Sequence, residues 1–425
     1  MKRSLSDDEK SSKDDAKLKL HQKLVYYSQS TKKILKSSFT LHHTLRMVLM
    51  LAVFIVGFLI AEQIGFLLTL SSCSWPYSPE DPQSCDRVLI LSDIHVLGGR
   101  EAMWPLTLDT DHYLGSFLTR ILAKYSPNTV VFLGDALHEG WYKVTSDSEY
   151  KSIADRFKSS ITSKLKDKEV LVLMGNHDAG DYLDPNDSLV HRWEDQFGPS
   201  SYSKTIKGVN YQVINSISIE HVWNATKTFA LPSDPICLTH YPIYTMNPPE
   251  LRSYLRQNCR YILSGHEHVF NVFYNETIAP AFSPNRIEGN HGFMLALISP
   301  TDISFRRCNG SNRNHLYFIT SVLFFVLIWN FVGKNVIQKR RFKLSFMFLL
   351  ALEIVAYFVS ISLNLEQVFI PLNYVIISSL WILAWDMNSY FTIVFILANF
   401  LGVVFSMGFL KDFNWAVQRN GLGIV

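Results

Sequence analysis

Five short polar motifs, each placed directly after an apolar run of strand length, constrain this chain more than any other feature of its sequence. They are Asp93-Ile94-His95, Gly134-Asp135, Gly175-Asn176-His177-Asp178, His240 and Gly265-His266-Glu267-His268. The carboxyl ends of parallel strands meet along one crevice of a sheet, and ligands bind there. We therefore expect the five motifs to converge on one site.

The region between the first motif and residue 308 alternates strand-like and helix-like patterns. Helical spacing is present at 109–125, where Tyr113, Phe117 and Ile121 share one side, and again at 150–165. Strand-like runs are found at 87–92, 129–134, 169–175, 210–217, 235–239, 260–264, 268–274 and 292–298. This order predicts an α/β fold with parallel neighbouring strands covered by helices.

The residue types in the motifs are those that hold a pair of divalent metals. Carboxylates and neutral imidazoles suit Mn, Fe or Zn. Two such ions about 4 Å apart neutralise the charge of a phosphate ester and lower the pKa of a bound water. One carboxylate must be shared between the ions, and Asp135 is the natural choice. The motifs therefore predict a hydrolase that acts on a phosphoester.

In type, order and approximate spacing, the motifs between residues 88 and 268 resemble those of the calcineurin-like metallophosphoesterase superfamily. The resemblance implies a four-layer-like β-sandwich flanked by helices. It implies one ion bound by Asp93, His95, Asp135 and His268, and another bound by Asp135, Asn176, His240 and His266. His177 would be the general acid that protonates the leaving alkoxide, and Asp178 would hold the loop from outside the ligand set.

Long apolar segments flank the candidate domain. Residues 47–70 are long enough to span a bilayer, and the 46 residues before them hold eleven Lys/Arg against five Asp/Glu. We therefore predict a basic, partly disordered cytosolic tail (1–46) followed by a signal anchor. A second span is predicted at 315–333, before a basic loop (334–343) that should also be cytosolic. Residues 72–313 then form a lumenal domain.

Further apolar stretches over 344–410 predict two to three more membrane segments before a tail at 411–425. The number of these segments and the side of the tail stay open. The fold class expected for the whole chain is thus an α/β domain with N- and C-terminal transmembrane helices. Glu353 lies near the middle of one stretch, where an ionisable group is costly, and it serves a partner, a lipid headgroup or helix packing.

Glycosylation sequons and cysteines support the lumenal placement. All four sequons fall inside 72–313, at Asn186, Asn224, Asn275 and Asn309. The five cysteines of the chain fall there as well, which suits an oxidising compartment. Five is an odd number, so at least one thiol stays free or pairs outside the chain. Cys73 and Cys308 lie just beyond the two predicted spans, and a disulfide between them would join the ends of the domain.

This layout narrows the resemblance to the membrane-bound metallophosphoesterases that remodel glycosylphosphatidylinositol (GPI) anchors. Sequence likenesses include Ser72-Cys73-Ser74-Trp75-Pro76 and His240-Tyr241-Pro242-Ile243-Tyr244. The resemblance implies removal of an ethanolamine phosphate branch, with two divalent ions, manganese first and Fe or Zn as alternatives. It implies the bilayer and GPI-anchored proteins as partners. It also implies a multi-pass membrane protein of ER exit sites, the ER–Golgi intermediate compartment and the Golgi.

Two departures and several residues leave alternatives open. His138 stands where that family usually has an acidic residue, and it either lines the site or is a surface histidine. Asn285 and Arg286 either bind a substrate phosphate or belong to a surface loop. Trp104 and Trp141 either stack on a sugar or are core or rim aromatics. Glu267 occupies the middle of a His-x-His motif in which small polar residues are usual.

Two other functions compete with GPI remodelling. One is a phosphatase or phosphodiesterase for another lipid or a soluble ester, because a metal pair recognises only the phosphate. The other is a non-catalytic metal-binding membrane protein, which Glu353 and the C-terminal segments favour. Nucleic acid is not an expected partner, since the net charge is only +3 and no basic stripe is interleaved with aromatics.

Overall fold

The computed structural model describes the central domain and part of the preceding helix. The described residues are 59–60, 62–78, 84–98, 104–141, 145–283 and 291–310, together with 322, 351, 354 and 355. Most of the predicted spans, both predicted tails, the basic loop, Asn285 and Arg286 lie outside these residues, so the predicted domain boundaries stay predictions. Within the described part of the chain, no helix is long and apolar enough to cross a membrane.

Eleven strands are present in the described residues. In chain order they are β1 Asp86–Leu91, β2 Thr129–Phe132, β3 Glu169–Val172, β4 Tyr202–Ile206, β5 Val209–Val213, β6 Ile236–Leu238, β7 Tyr261–Ser264, β8 Asn271–Phe273, β9 Glu276–Ile278, β10 Gly292–Ile298 and β11 Ile303–Asn309. They form two mixed sheets, one in the order β11-β10-β1-β2-β3 and the other in the order β4-β5-β6-β7-β9-β8. In the first sheet β1, β2 and β3 are parallel, while β10 runs antiparallel to β1.

Seven α-helices accompany the strands among the described residues from 59 to 310. We label them α1 (59–71), α2 Trp104–Tyr125, α3 Asp147–Ser160, α4 Asn176–Ala179, α5 Ser188–Phe197, α6 Ile219–Thr226 and α7 Pro249–Asn258. The start of α3 is defined by a capping box, in which Ser146 and Glu149 each bond the other's backbone N–H. The predicted helix at 109–125 is confirmed, and it begins five residues earlier.

The two sheets pack face to face. Side chains alternate along a strand, and Val88 and Ile90 of β1 join a buried cluster with Tyr211 and Leu238 of the second sheet. The alternate residues of β1 pack instead with the helices on the outer face. Helices α6 and α7 cover the outer face of the second sheet in the same way. The predicted α/β sandwich flanked by helices is therefore confirmed for the central domain.

Helix α1 packs along α2 and is fixed to the domain at its end. The Phe66 ring stacks on Phe117 with centroids 5.0 Å apart, and the hydroxyl of Tyr125 donates to the carbonyl of Leu70 at 3.1 Å. Beyond the helix, Cys73 forms a disulfide with Cys308 of β11. The residues that follow run beside β11, where Ser78 donates to Asp302 at 3.0 Å.

A second disulfide lies within the domain. Cys237 of β6 is bonded to Cys259, the residue after α7. The fifth cysteine, Cys85, is buried and carries a free thiol. The odd cysteine expected from the sequence is thus Cys85, at the amino end of β1.

Candidate metal centre

The five motifs meet at the edge where the two sheets present the carboxyl ends of their parallel strands. Asp93 follows β1, Asp135 follows β2 and Asn176 follows β3 in the first sheet. His240 follows β6 and His266 follows β7 in the second sheet. Each side chain is therefore carried by the loop that leaves a buried strand. The convergence expected from the sequence is what the structure shows.

The first group of ligand atoms contains Asp93, His95, Asp135 and His268, all within 4.8 Å of one another. The Nε2 atom of His268 lies 3.3 Å from Asp93 Oδ1. The Nε2 atom of His95 lies 3.5 Å from Asp135 Oδ2 and 3.8 Å from Asp93 Oδ1. These four residues are the set that the resemblance assigns to one ion.

The second group contains Asp135, His240 and His266 within the same limit. The Nε2 atom of His240 lies 3.4 Å from Asp135 Oδ1 and 3.0 Å from the Oδ1 atom of Asn176. The same amide oxygen lies 3.1 Å from Nδ1 of His266. Asp135 thus presents one carboxylate oxygen to each group, as a shared ligand must.

Two buried oxygens show that the site fits a pair of cations. Asp93 Oδ1 and Asp135 Oδ2 have no hydrogen-bond partner, although both carboxylates are buried. An uncompensated buried carboxylate costs several kcal/mol, about the penalty for removing an ion from water. Both oxygens face imidazole Nε2 atoms across gaps of 3.3–3.8 Å. Divalent ions such as Mn, Fe or Zn match this set of carboxylate, imidazole and amide donors.

The loops reach this arrangement through strained backbone. Five of the seven candidate ligands have a positive φ: Asp93 53°, His95 49°, Asp135 51°, His266 70° and His268 57°. Non-glycine residues in this region cost about 1–3 kcal/mol each, and such residues cluster at functional sites. Gly175 permits the packing, because a Cβ there would lie 2.2 Å from Asp135 Oδ1. A Cβ on Gly134 would lie 2.4 Å from the His240 ring.

The charged groups in the site shift one another's pKa values. Burial alone would lower the pKa of His240, but the Asp135 and Asp93 carboxylates raise it to about 9. Burial raises the pKa of Asp135, yet the charges of His240 and His177 hold it well below its ordinary value. The pKa of His266 is lowered by burial and by His240. Without an ion, a proton on His240 balances the carboxylates, so loading an ion must release protons.

The ring of His240 is held in one orientation by the backbone. Its Nδ1 donates to the carbonyl of Leu133 at 2.7 Å, which leaves Nε2 as the atom for an ion. Its backbone N–H donates to Ser216 Oγ at 3.1 Å. Similarly, Ser92 Oγ donates to Asp93 Oδ2 at 2.6 Å. The sequence analysis did not identify either serine, and only the position of Ser92 beside a motif could have indicated it.

Asp178 connects two of the motif loops. Its carboxylate accepts from the backbone N–H groups of Gly175 and Leu137, both at 2.8 Å. Burial, followed by the nearby Asp135 carboxylate, raises the pKa of Asp178 to about 7. The structure thus places Asp178 behind the ligands, where it joins the loops that carry Leu137 and Gly175.

His177 and His138 lie side by side at the site. The backbone N–H of His177 donates to Asp135 Oδ1 at 2.8 Å, and its ring stacks on that of His138 with centroids 5.1 Å apart. His138 Nδ1 is 3.4 Å from His95 Nδ1. Of the two alternatives for His138, the structure supports the one in which it lines the site. The signal for it was its position three residues after Asp135.

Aromatic side chains surround the second ligand group. The Tyr241 ring packs edge-on against His266 at 4.7 Å, and its hydroxyl donates to Asp181. Tyr182 stacks on Tyr241 at 6.0 Å, and Trp141 lies 6.4 Å from the His177 ring. Sequence reasoning missed Tyr241 and Tyr182 as site residues. It named Trp141, which is a rim aromatic here.

Residues 86–270 match the family described as "Calcineurin-like phosphoesterase". The chain therefore contains a calcineurin-like metallophosphoesterase domain, a hydrolase domain that acts on phosphoester bonds. Metallophosphoesterase 1 of Danio rerio is 26% identical over 320 residues, which are 60% of this chain and 83% of that protein. The Gallus gallus protein is 26% identical over 341 residues, or 62% and 84% of the two chains. The Drosophila melanogaster homolog is 22% identical over 343 residues, or 66% and 91%.

A solved structure also aligns with the chain at low similarity. The nuclease MPE of Pseudomonas putida aligns with 49% of this chain and 84% of its own, at 18% identity. Its TM-score is 0.25, which is too low to support a conclusion about the site.

Proposed function

We propose that this protein is a membrane-anchored phosphodiesterase of the secretory-pathway lumen that removes an ethanolamine phosphate branch from GPI anchors. The observation that carries the hydrolytic part is the pair of ligand groups that share Asp135, with His177 beside them. The resemblance to GPI-remodelling enzymes supports the substrate, and the relatives named above support the phosphoesterase class. The basic flanks, sequons and cysteines support the anchor and the lumenal side.

The two ligand groups would each hold one divalent ion, with manganese proposed first. When bound, the ions neutralise the ester's charge and lower the pKa of a water molecule. The chain's own residues orient the ions and the proton donor. Asp135 aligns both ligand groups, and Asp178 holds the second and third motif loops together. The stacked His138 ring restricts the orientation of His177.

In the proposed reaction, water adds its oxygen to phosphorus and releases one proton to the solvent, from which His177 is later reprotonated, and the bond from phosphorus to the sugar oxygen breaks. The proton held by His177 passes to the departing sugar oxygen, so that the products are ethanolamine phosphate and a free hydroxyl group. His177 Nδ1 donates to the His138 carbonyl at 2.9 Å. Its Nε2 is therefore the atom that carries the transferred proton.

Two measurements test this proposal at separate levels. Hydrolysis of bis(p-nitrophenyl) phosphate by the purified full chain tests the reaction, with Asp135→Asn as the inactive control. Mass spectrometry of GPI anchors from cells with and without the protein tests the substrate. Retention of the ethanolamine phosphate branch in cells that lack the protein is the expected result.

The outcomes distinguish the competing functions. An active chain whose loss leaves the anchor glycans unchanged would point to another lipid or a soluble ester. A chain that binds metal but hydrolyses no diester would point to a non-catalytic metal-binding protein. Protease protection of the domain in intact microsomes tests the lumenal placement independently of both.

A further inference from the structure

The end of α1 lies at the same edge of the domain as the metal centre. Cys73, just after α1, is bonded to Cys308 of β11, and Cys308 pairs with Phe293 of β10. Because β10 runs antiparallel to β1, this end of β10 lies beside the carboxyl end of β1. Asp93 of the metal centre leaves β1 at that end.

From residue 70 back toward residue 59, α1 lies alongside α2. Its contacts follow α2 from the carboxyl end toward the amino end: Leu70 with Tyr125, Phe66 with Phe117, and Glu62 with His112. Helix α2 comes after β1 and returns to the start of β2, so its amino end lies on the side of the metal centre. Twelve residue steps from 71 to 59 carry the chain about 18 Å in that direction.

The sequence before residue 59 and the exposed face of α1 are both apolar. Residues 47–58 contain no charged side chain. Ile60, Ile64, Leu67 and Leu68 point away from α2 and are 51–67% exposed. The predicted membrane anchor therefore joins α1 at the end that lies toward the amino end of α2.

The carboxyl end of the domain leaves from the same edge. Asn309, the last residue of β11, pairs with Gly292 at the start of β10. Six residue steps lead from Asn309 to the second predicted span at 315, and an extended chain of that length reaches at most about 21 Å. Two independent flanks thus place the bilayer on one side, and they limit its distance from that edge.

The rim of the metal centre carries exposed side chains suited to a membrane surface. Trp141 is 40% exposed, Tyr182 57% and Leu108, near the amino end of α2, 58%. Tryptophan and tyrosine are enriched where a protein meets lipid headgroups, because they combine an apolar ring with a polar group. Trp141 lies near the His177 ring, and Tyr182 stacks on Tyr241, which packs against His266.

We infer that the carboxyl edge of the central domain docks on the lumenal leaflet, so that the metal centre opens toward the bilayer. The phosphoester would then reach the metal centre from the lipid side of the domain. This inference deepens the proposed function and rests on its membrane anchor. It does not depend on which lipid carries the phosphate.

Nitroxide quenching in reconstituted vesicles tests the inference directly. The full chain is placed in phosphatidylcholine vesicles, and a fluorophore is attached through Tyr182→Cys at the rim or Tyr274→Cys as the matched control. Both tyrosines are exposed and have left-handed backbone, with φ of 51° and 50°. Tyr274 lies in the turn between β8 and β9, at the opposite end of the second sheet. The unmutated chain controls for labelling at the buried Cys85.

A nitroxide on the lipid headgroup should quench the label at position 182 at least about threefold more than the label at position 274. Leu108→Cys provides a second rim reporter and should give the same result as Tyr182→Cys. Equal quenching at the rim and at position 274, in protein that floats with the vesicles, would overturn the inference and leave the proposed function intact. Protein that does not float with the vesicles would remove the membrane anchor, and the inference with it.

Discussion

His177 donates a hydrogen bond from Nδ1 to the backbone carbonyl of His138 at 2.9 Å. A carbonyl oxygen can only accept a hydrogen bond, so Nδ1 carries a hydrogen. Nε2 is then the atom that can exchange a proton with a bound substrate. The two imidazole rings are nearly parallel, with an angle of 10° between their planes. The loop after β2 therefore sets both the tautomer and the orientation of a histidine that belongs to the loop after β3.

His177→Ala should separate catalysis from metal binding. We expect near-normal metal content, because His177 is not among the predicted ligands, and a kcat lower by about 10²–10⁴-fold for a diester with a poor leaving group. A p-nitrophenyl ester, whose leaving group needs no proton, should be affected much less. Steady-state kinetics on both substrates, with metal analysis, makes the comparison. Equal losses on the two substrates would argue against a general acid at this position.

Asp135→Asn should affect metal binding itself. The carboxylate faces both ligand groups, and the neutral amide removes the charge that the two ions share. We expect at most one bound ion per chain and no measurable turnover, with metal content measured by mass spectrometry of the purified protein. Asp155→Asn, on the exposed face of α3, is the control and should leave both quantities unchanged. Two bound ions with normal turnover in Asp135→Asn would refute the shared-ligand assignment.

His138→Ala should weaken metal binding without removing a ligand. The His138 ring lies against His95 and His177, and loss of a residue that orients a metal ligand typically lowers affinity about 10–100-fold. His138→Asn keeps a polar group near His95 and should recover part of the loss. Titration with Mn²⁺ followed by calorimetry measures both. An unchanged affinity in His138→Ala would mean that the ring serves only as packing.

Asp86 should make the stability of the domain depend on pH. Burial raises the pKa of this carboxyl group above 3.8, although the Tyr211 and Thr129 hydroxyls donate to it. A raised pKa in the folded state contributes stability below the ordinary pKa, and this contribution is lost as pH rises through the raised value. Asp86→Asn should therefore gain thermal stability relative to the unmutated chain as pH rises from about 4 to 7.

Melting temperatures of the full chain in detergent, measured across that range, check the Asp86 prediction. Asp155→Asn is a control for which the change in relative thermal stability with pH should have the opposite sign. The hydrogen bond from Lys151 lowers the pKa of the exposed Asp155 carboxylate. A constant difference between Asp86→Asn and the unmutated chain at all pH values would contradict the raised pKa.

The four sequons should not be used equally. Asn186, Asn224 and Asn309 are exposed, whereas the Asn275 amide donates to the Cys259 carbonyl at 3.1 Å and Thr277 of the same sequon is buried. In secretory cells we expect Asn→Gln at the three exposed sites to remove one glycosidase-sensitive mobility step each, and Asn275→Gln to remove none. The absence of glycan at all four sites would count against the lumenal placement.

The residues of the site were predicted from the sequence more accurately than the strands that surround them. Ligand types and their positions after apolar runs identified Asp93, Asp135 and His240 as neighbours, because strand ends fix loop positions. In contrast, β4 was missed, since its sequence Tyr-Ser-Lys-Thr-Ile has only one fully buried residue. The predicted strand at 268–274 shortened to β8, because His268 adopts a left-handed backbone as a candidate ligand.

Contacts between distant loops could not be read from the sequence. The Cys237–Cys259 disulfide was not predicted, since spacing alone does not determine pairing. The packing of Tyr241 on His266 depends on how two loops of the second sheet meet. Such relationships arise only when the strands have been brought together.

The Cys73–Cys308 disulfide also has a mechanical consequence. It closes a loop of 235 residues, and the chain enters and leaves this loop at neighbouring points on one edge. A pull between the segment before Cys73 and the segment after Cys308 is borne by the sulfur–sulfur bond, so tension bypasses the strand pairing between these two cysteines, and only the last pair, Asn309 with Gly292, lies outside it. The disulfide closes the domain into a covalent ring. The loops that carry the metal ligands therefore bear no tension when the two flanking segments are pulled apart.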